Sequence, residues 1–181
     1  MQLYMKYAII IKNDWNKKMN IRLANSQDLD TILQIYADAR SFMKESGNPN
    51  QWGTVNPPVT RTIEDFETHK LHVVCEGEEI LGVFFFDIAD DPTYSIIYNG
   101  SWLNDKPYGV IHRIAVSNNA RGKGVAGFCF DYAFGKCKNL KIDTHKDNLP
   151  MQKSLAKNGF IKCGIIHLAN GDERIAFQKT E

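Results

Sequence analysis

The run Val110-Ile-His-Arg-Ile-Ala-Val116, then Ser-Asn-Asn-Ala, then Arg121-Gly-Lys-Gly-Val-Ala-Gly127, constrains this chain more than any other segment. Seven residues rich in branched apolar side chains read as a buried strand, and the glycine-rich piece after them reads as a turn that opens a helix. Glycines let backbone N–H groups converge with no Cβ in the way, and the start of a helix adds partial positive charge. Such a turn is an anion cradle suited to phosphate oxygens, and Arg121 adds a full charge at its mouth.

Two kinds of cofactor turn fit these residues. Gly122-Lys-Gly124-Val-Ala-Gly127 satisfies G-x-G-x-x-G, and Asp143 follows about 20 residues later, where a dinucleotide fold places its ribose carboxylate. That fold starts its glycines almost at the strand end, whereas Ser117 to Arg121 intervene here, and the chain after Asp143 is short for the further strand and helix units it needs. The same stretch also reads Arg121-x-x-Gly124-x-Ala126. Beyond Asp143 come Asn148-Leu-Pro-Met151-Gln-Lys-Ser-Leu155-Ala-Lys-Asn-Gly159-Phe160, a short helix opened by Asn and closed by Gly-Phe. In this order and separation the two segments resemble the paired signatures of the GNAT superfamily of acyl-CoA-dependent N-acyltransferases.

The resemblance spans about residues 20 to 179 and is densest from 108 to 160. It implies an α/β GNAT fold: a mixed central β-sheet of about six to seven strands, flanked by about four helices, with splayed central strands. It also implies acetyl-CoA as cosubstrate. Ile114, Ala115 and Val116 would line the pantetheine arm, and backbone N–H groups of Arg121, Gly122, Lys123, Gly124, Val125, Ala126 and Gly127 would hold the pyrophosphate. Asn148 would hydrogen-bond the pantetheine side, and it reads equally as a helix N-cap ahead of Pro150, two roles that are compatible. One position departs from the family. Many members carry a proton-donating Tyr seven residues after the Asn, and here that residue is Leu155. The commonest mechanism therefore does not carry over, and another side chain or water must handle the proton.

His112 stands two residues before the implied cofactor edge and is the side-chain type that exchanges protons near neutrality. It also fits a plain hydrogen-bonded strand histidine. Asp143, with Thr144 and His145, closes the neighbouring strand and is a second candidate base; its plain reading is a turn cap or a partner for Lys. Glu76 and Glu79 read as the solvated tip of a hairpin. Trp52, Tyr98 and Trp102 are candidates to hold an ammonium acceptor by cation–π attraction, or to seal loops over the core. Arg113, expected on the face opposite His112 and Ile114, would hold a loop or select an acidic acceptor.

Composition bounds the rest. A length of 181 residues with 43% hydrophobic content supports one domain, taken as 19–181, preceded by an extension over 1–18 of unknown role. A net charge of +1, from 22 basic and 21 acidic residues, gives no field for nucleic acid. The four cysteines form no C-x-x-C pair and no metal-type partnership with His, so we expect no metal, reduced thiols and a cytoplasmic protein. No apolar run approaches the ~20 residues of a membrane helix, so no membrane partner is expected.

Periodicity predicts a strand at Ile21–Leu23, a helix from an N-cap at Ser26 to about Glu45, and a turn-rich loop over 47–60. A short helix from Thr62 to His69 follows, then a hairpin of Leu71–Cys75 and Ile80–Phe86 turning at Gly77, and an irregular stretch over 87–107. After the glycine turn come a helix with Val125, Phe128, Cys129, Tyr132 and Ala133 on its apolar face, a strand over Leu140–Asp143, and a final hairpin of Ile161–Leu168 and Arg174–Gln178. The combined expectation is an N-acetyltransferase for a primary amine of a small molecule or of a peptide or protein, with a homodimer left open. The alternatives are an acyl-CoA binding module without turnover and a dinucleotide-dependent oxidoreductase.

Overall fold

Apolar and alternating runs set the sheet. In the computed structural model, which describes residues 18–181, the strands are β1 (Met19–Leu23), β2 (Leu71–Glu76), β3 (Glu79–Asp87), β4 (Gly109–Val116), β5 (Asn139–Thr144), β6 (Ile161–His167) and β7 (Glu173–Thr180). They form a seven-stranded mixed sheet in the order β1-β2-β3-β4-β5-β7-β6, antiparallel throughout except between β4 and β5. The helices are α1 (Leu29–Glu45), α2 (Val59–Glu67), α3 (Val125–Cys137) and α4 (Leu149–Lys157). This is the expected α/β architecture; apart from Lys18, the N-terminal extension lies outside the described residues.

Local chemistry shifts some boundaries. The first helical turn is capped by Asn25, not Ser26: the Asn25 side chain accepts from the Gln27 N–H and the Asp28 carboxylate accepts from the Asn25 N–H, a capping box around a short 3₁₀ turn. The second helix starts at Val59, three residues before the expected Thr62, because Pro58 sits at its N-cap and cannot extend a helix backwards. The β2–β3 hairpin turns at Gly77, whose φ of 60° favours a residue without Cβ.

Each sheet face is covered by a different layer. Val74, Phe84, Phe86, Ile111, Leu140, Ile142 and Ile175 pack against Val125, Cys129, Phe130 and Ala133 of α3 and Leu155 of α4. On the other face Val73, Val83 and Ala115 meet Ile32, Ile35, Tyr36 and Ala39 of α1. Further along that face, Tyr94 and Tyr108 from the β3–β4 connection cover Val110, Ile166 and Ala176. Leu155, the residue at the family's Tyr position, is fully buried in the first of these clusters. Cys129 is likewise an interior residue, as its place on the apolar face of α3 predicts.

Two irregularities in β4 make room for a site. Its pairing with β5 covers Gly109↔Leu140 and Val110↔Lys141 and then stops, so the two strands diverge beyond Val110. Along its other edge the register with β3 slips between Phe85↔His112 and Val83↔Ala115, a bulge in which Arg113 and Ile114 oppose Phe84 alone. Arg113 takes φ 51° there. The alternation expected for this strand is therefore broken. His112 and Arg113 both lie against Phe85, while Ile114 joins the α3 side, so Arg113 is not opposite His112.

The β3–β4 connection is a strap tied across the sheet. Gln178, fully buried on β7, donates from Nε2 to Asn139 Oδ1 at 2.7 Å and accepts the Leu103 N–H at Oε1 at 2.7 Å. Asn139 Nδ2 then donates to Asn104 Oδ1, Lys106 O and Pro107 O. Gln178→Met preserves the volume but strips the Leu103 N–H and Asn139 Oδ1 of this partner. We expect a loss of about 1–3 kcal/mol for each group left unsatisfied, read as a lower urea midpoint at unchanged slope.

Candidate active site

The chemistry gathers where β4 leaves β5. His112 Nε2 lies 2.8 Å from Asp91 Oδ2, and His112 Nδ1 lies 4.0 Å from Asp143 Oδ1. The Asp143 carboxylate also accepts the Tyr94 hydroxyl at 2.8 Å. Asp91 is fixed by its own turn: Oδ1 accepts the Thr93 N–H and the Thr93 hydroxyl, and the Asp91 N–H donates to the Tyr108 hydroxyl at 3.0 Å. The His112 side chain retains 21% exposure and Asp143 13%, so the cluster is sheltered but reachable.

These contacts assign the protons. Burial pushes the Asp91 carboxyl up, but hydrogen bonds from His112 and Thr93 outweigh it and hold its pKa at about 2. An ionised carboxylate only accepts, so His112 Nε2 carries the hydrogen of this bond and Nδ1 is the ring nitrogen that faces Asp143. Burial, and then the Asp143 charge, push the Tyr94 phenol well above its ordinary range, so it remains the donor in its bond.

Sequence reasoning named His112 and Asp143 but missed Asp91 and Tyr94. The available signal was the Asp91-Pro92-Thr93 run, which marks a side-chain-capped turn and indeed starts a 3₁₀ helix. No local pattern says that this turn lands on His112, 21 residues away.

The glycine turn lies at the far end of β4. Gly124 caps α3 in the left-handed region at φ 86°, with no side-chain cap, and the first hydrogen bond of the turn runs from Phe128 N–H to Gly124 O. The N–H groups of Val125, Ala126 and Gly127 are thus left at an open helix start. A Cβ built on Gly122 or Gly124 would meet nothing within 4 Å, whereas one on Gly127 would meet Asn158 Oδ1 at 2.8 Å. Gly127 accordingly lets α3 approach the end of α4, and Gly122 and Gly124 border free space. The Arg121 guanidinium lies over the Phe42 ring, 3.5 Å from its centroid. Burial lowers its pKa and the charges of Asp38 and Glu45 partly restore it.

Five buried side-chain polar atoms among the described residues have no hydrogen-bond partner: Tyr36 Oη and Asn48 Oδ1 on the α1 side, and Ser117 Oγ, Arg121 Nε and Thr144 Oγ1. The last three concern the site. They stand on the segments that border the divergence of β4 from β5, alongside the unpaired edge of Ile114, Ala115 and Val116. Such unspent donors and acceptors beside an open cradle suit a polar, phosphorylated group.

Asn148 caps α4 by accepting the Met151 N–H at 3.1 Å, and its Nδ2 donates to Gln51 Oε1 at 2.8 Å. Gln51 also accepts from Asn48, so the loop between α1 and α2 is held against the start of α4. Half of the hydrogen-bonding capacity of the Asn148 amide is left over. Arg113 is engaged by Asp65 of α2 through Nε and Nη2 at 2.7 and 2.9 Å.

The three candidate aromatics occupy separate surroundings. Trp52 packs edge-on to Tyr36 in the α1 layer. Trp102 donates to Tyr94 O, and the Lys141 Nζ sits 4.2 Å from its ring centroid, so the chain's own cation covers that face. Tyr98 bridges to Ile165 at the β6 edge and stacks on His167. Among the described residues no group of three or more His, Cys, Asp or Glu is placed to hold a metal ion, and no helix is long and apolar enough to cross a membrane.

Comparison with known proteins agrees with this geometry. Residues 29–160 match the acetyltransferase (GNAT) family. A GNAT-family acetyltransferase from Streptococcus agalactiae 2603 is 31% identical with a TM-score of 0.83, covering 90% of this chain and 95% of that one. A GNAT-family acetyltransferase from Bacillus cereus ATCC 10987 is 22% identical with a TM-score of 0.62, over 90% and 98% of the two chains. The Salmonella typhimurium protein yncA, solved with its cofactor acetyl-CoA, is 14% identical with a TM-score of 0.61, over 90% and 94%. No curated protein sequence matches the chain at a comparable level.

The Asp91–His112 contact has a pH signature. The folded pKa of Asp91, at about 2, lies below its ordinary value of 3.8. The stability it contributes is therefore fully present above the ordinary value and is lost as pH falls through the folded one. Removing the imidazole leaves burial in place and deletes a compensating hydrogen bond. We expect the Asp91 carboxyl carbon to titrate at clearly higher pH in His112→Ala when followed by NMR; an unchanged titration would mean that the contact is not formed in solution.

Proposed function

The chain belongs to the GNAT acetyltransferase family, an acyltransferase class that uses acetyl-CoA, and from that premise we propose that the divergence of β4 from β5 is the centre of an N-acetyltransferase for a primary amine of a small molecule or peptide. One observation carries the reading. β4 loses β5 after two residue pairs, with an uncapped glycine turn at one end of its free edge and the His112–Asp143 pair at the other.

Bound acetyl-CoA would supply an activated acetyl thioester. The free edge of Ile114, Ala115 and Val116 would pair with the pantetheine amides, as a strand edge pairs with any extended amide chain. The amides from Arg121 to Gly127 would take the pyrophosphate, with the Arg121 charge at their mouth, and the remaining capacity of Asn148 would serve the pantetheine side. An amine nitrogen at ~2.8 Å from both His112 Nδ1 and Asp143 Oδ1 spans the gap between them. Asp143 would hold the incoming ammonium, and His112 Nδ1 would accept its proton as a general base. Asp91 fixes the imidazole tautomer and stabilises the imidazolium, so the proton held at Nδ1 can be passed on, a task that Leu155 cannot perform. Four free thiols, Cys75, Cys129, Cys137 and Cys163, support a cytoplasmic setting.

The test joins binding with turnover. Acetyl-CoA at 100-fold excess over Kd should stabilise the protein by about 2.7 kcal/mol in thermal denaturation, and NAD or NADP should not. Gly124→Val should abolish that shift, because its φ of 86° strains a branched residue and the side chain would fill the open cradle. His112→Ala and Asp143→Asn should lower kcat by about 10²–10⁴ with CoA affinity little changed. A comparable shift with a nicotinamide dinucleotide would move the cradle to another cofactor. Cofactor binding with no thiol release over a broad amine panel would make the protein a binding module.

A further inference from the structure

On β7, Arg174 is a largely buried cation with few hydrogen-bond partners among the described residues. Its side chain is 6% exposed, yet Nη1 donates to the neighbouring Glu173 O at 2.9 Å and Nη2 stands 3.8 Å from Asp172 Oδ2, beyond hydrogen-bond length. Asp172 is 54% exposed and is itself tied to Asn170. A guanidinium has five N–H donors, and most of those of Arg174 are left to water at the surface opening, free to take an anionic partner. Arg113 differs, since Asp65 already satisfies it in bidentate fashion.

Register places Arg174 on the side of the sheet that carries the amine site. Asp143 pairs with Ala176, and Ala176 and Ile166 share a cluster with Tyr94. Arg174 pairs with Ile166 and lies two residues before Ala176, so it shares their face, ~7 Å along the strand from the position opposite Asp143. The β5–β7 ladder ends at Thr144↔Ile175, which leaves Arg174 facing the exit of β5, where His145 stands 14% exposed. Burial and then the Arg174 charge lower the His145 pKa. The other charges at this exit are Asp147, 40% exposed and 3.5 Å from His145, Lys146 and Asp172.

We propose that the acceptor is a zwitterion, a primary amine bearing a carboxylate a few bonds away, in the manner of a free amino acid, with its amine at His112 and Asp143 and its carboxylate on Arg174. The inference rests on the acetyl-transfer reading of the site and deepens it. A carboxylate a few bonds from the amine is the charge that a cation two residues along the same face of the strand would select. The arrangement also separates charge sensibly: the ammonium meets the Asp143 carboxylate, and the anion meets a guanidinium on the same strand face.

The experiment compares the free L-amino acids with their amides, which keep the amine and lose the negative charge. With the wild-type enzyme, at least one acid should exceed its amide in kcat/KM by tenfold or more. Arg174→Gln should bring that acid down to the level of its amide through KM, and Arg174→Lys should restore part of the preference. Melting curves with acetyl-CoA check that both variants fold and bind the cofactor. If every amide matches its acid in the wild type, or if the preference survives Arg174→Gln, the proposal falls, whether or not the amides are acetylated. If the wild type neither binds acetyl-CoA nor releases thiol, the reading of the site falls with it.

Discussion

The bidentate pair between Asp65 and Arg113 holds the site in its shape. Arg113 adopts φ 51°, a left-handed conformation that costs a non-glycine residue about 1–2 kcal/mol. Such a residue persists when its surroundings over-determine it, and here a carboxylate of 3% side-chain exposure accepts from both Nε and Nη2 while Phe85 supports the guanidinium from the sheet. The bulge that results turns His112 and Arg113 to one face and Ile114 to the other. Without it the strand would alternate regularly, and His112 would share a face with Ile114. The same bulge strengthens the local twist of β4, which fits its separation from β5 after Val110.

From that separation the two halves of the site follow by different routes. The proposed cofactor half is local: one strand, one turn and one helix start, contiguous from Val110 to Gly127. The proposed amine half is assembled from distant segments, because His112 of β4 meets Asp143 of β5 and Asp91 of the strap. The strap reaches that position only because Gln178 and Asn139 fix its second half and the isolated bridge between Tyr98 and Ile165 fixes its middle. Buried polar networks of this kind are costly when incomplete and specifying when satisfied. This one determines where the Asp91 carboxylate sits.

This division explains what was legible in the sequence. The element order, the β2–β3 hairpin, the interior place of Cys129 and the glycine turn were readable because each is encoded within a dozen residues by periodicity or by glycine. The capping box at Asn25 was readable in principle, since Asn25 and Asp28 have the right spacing, but Ser26 offered a competing cap. The face assignment of Arg113 failed for a different reason. A bulge is a relation between two strands, and the alternation rule has no way to register that Phe84 would oppose two residues of β4. Asp91 and Tyr94 fall in the same category: their chemistry is set by contacts with residues 21 and 49 positions away.

Leu155 shows how the two halves depend on each other. In a chain with a proton-donating Tyr on α4, the last helix would serve both cofactor and chemistry, and its packing would have to leave a hydroxyl facing the site. Here that position is fully buried against the core, so α4 contributes a cap at Asn148 and an anchor for Gln51 instead. In the proposed reading proton handling falls instead to the other side of the divergence, where the strap brings the ionised Asp91 carboxylate against His112. The burial of Leu155 seals the core beneath α4, and the pairing of Asp91 with His112 fixes the imidazole at the open face.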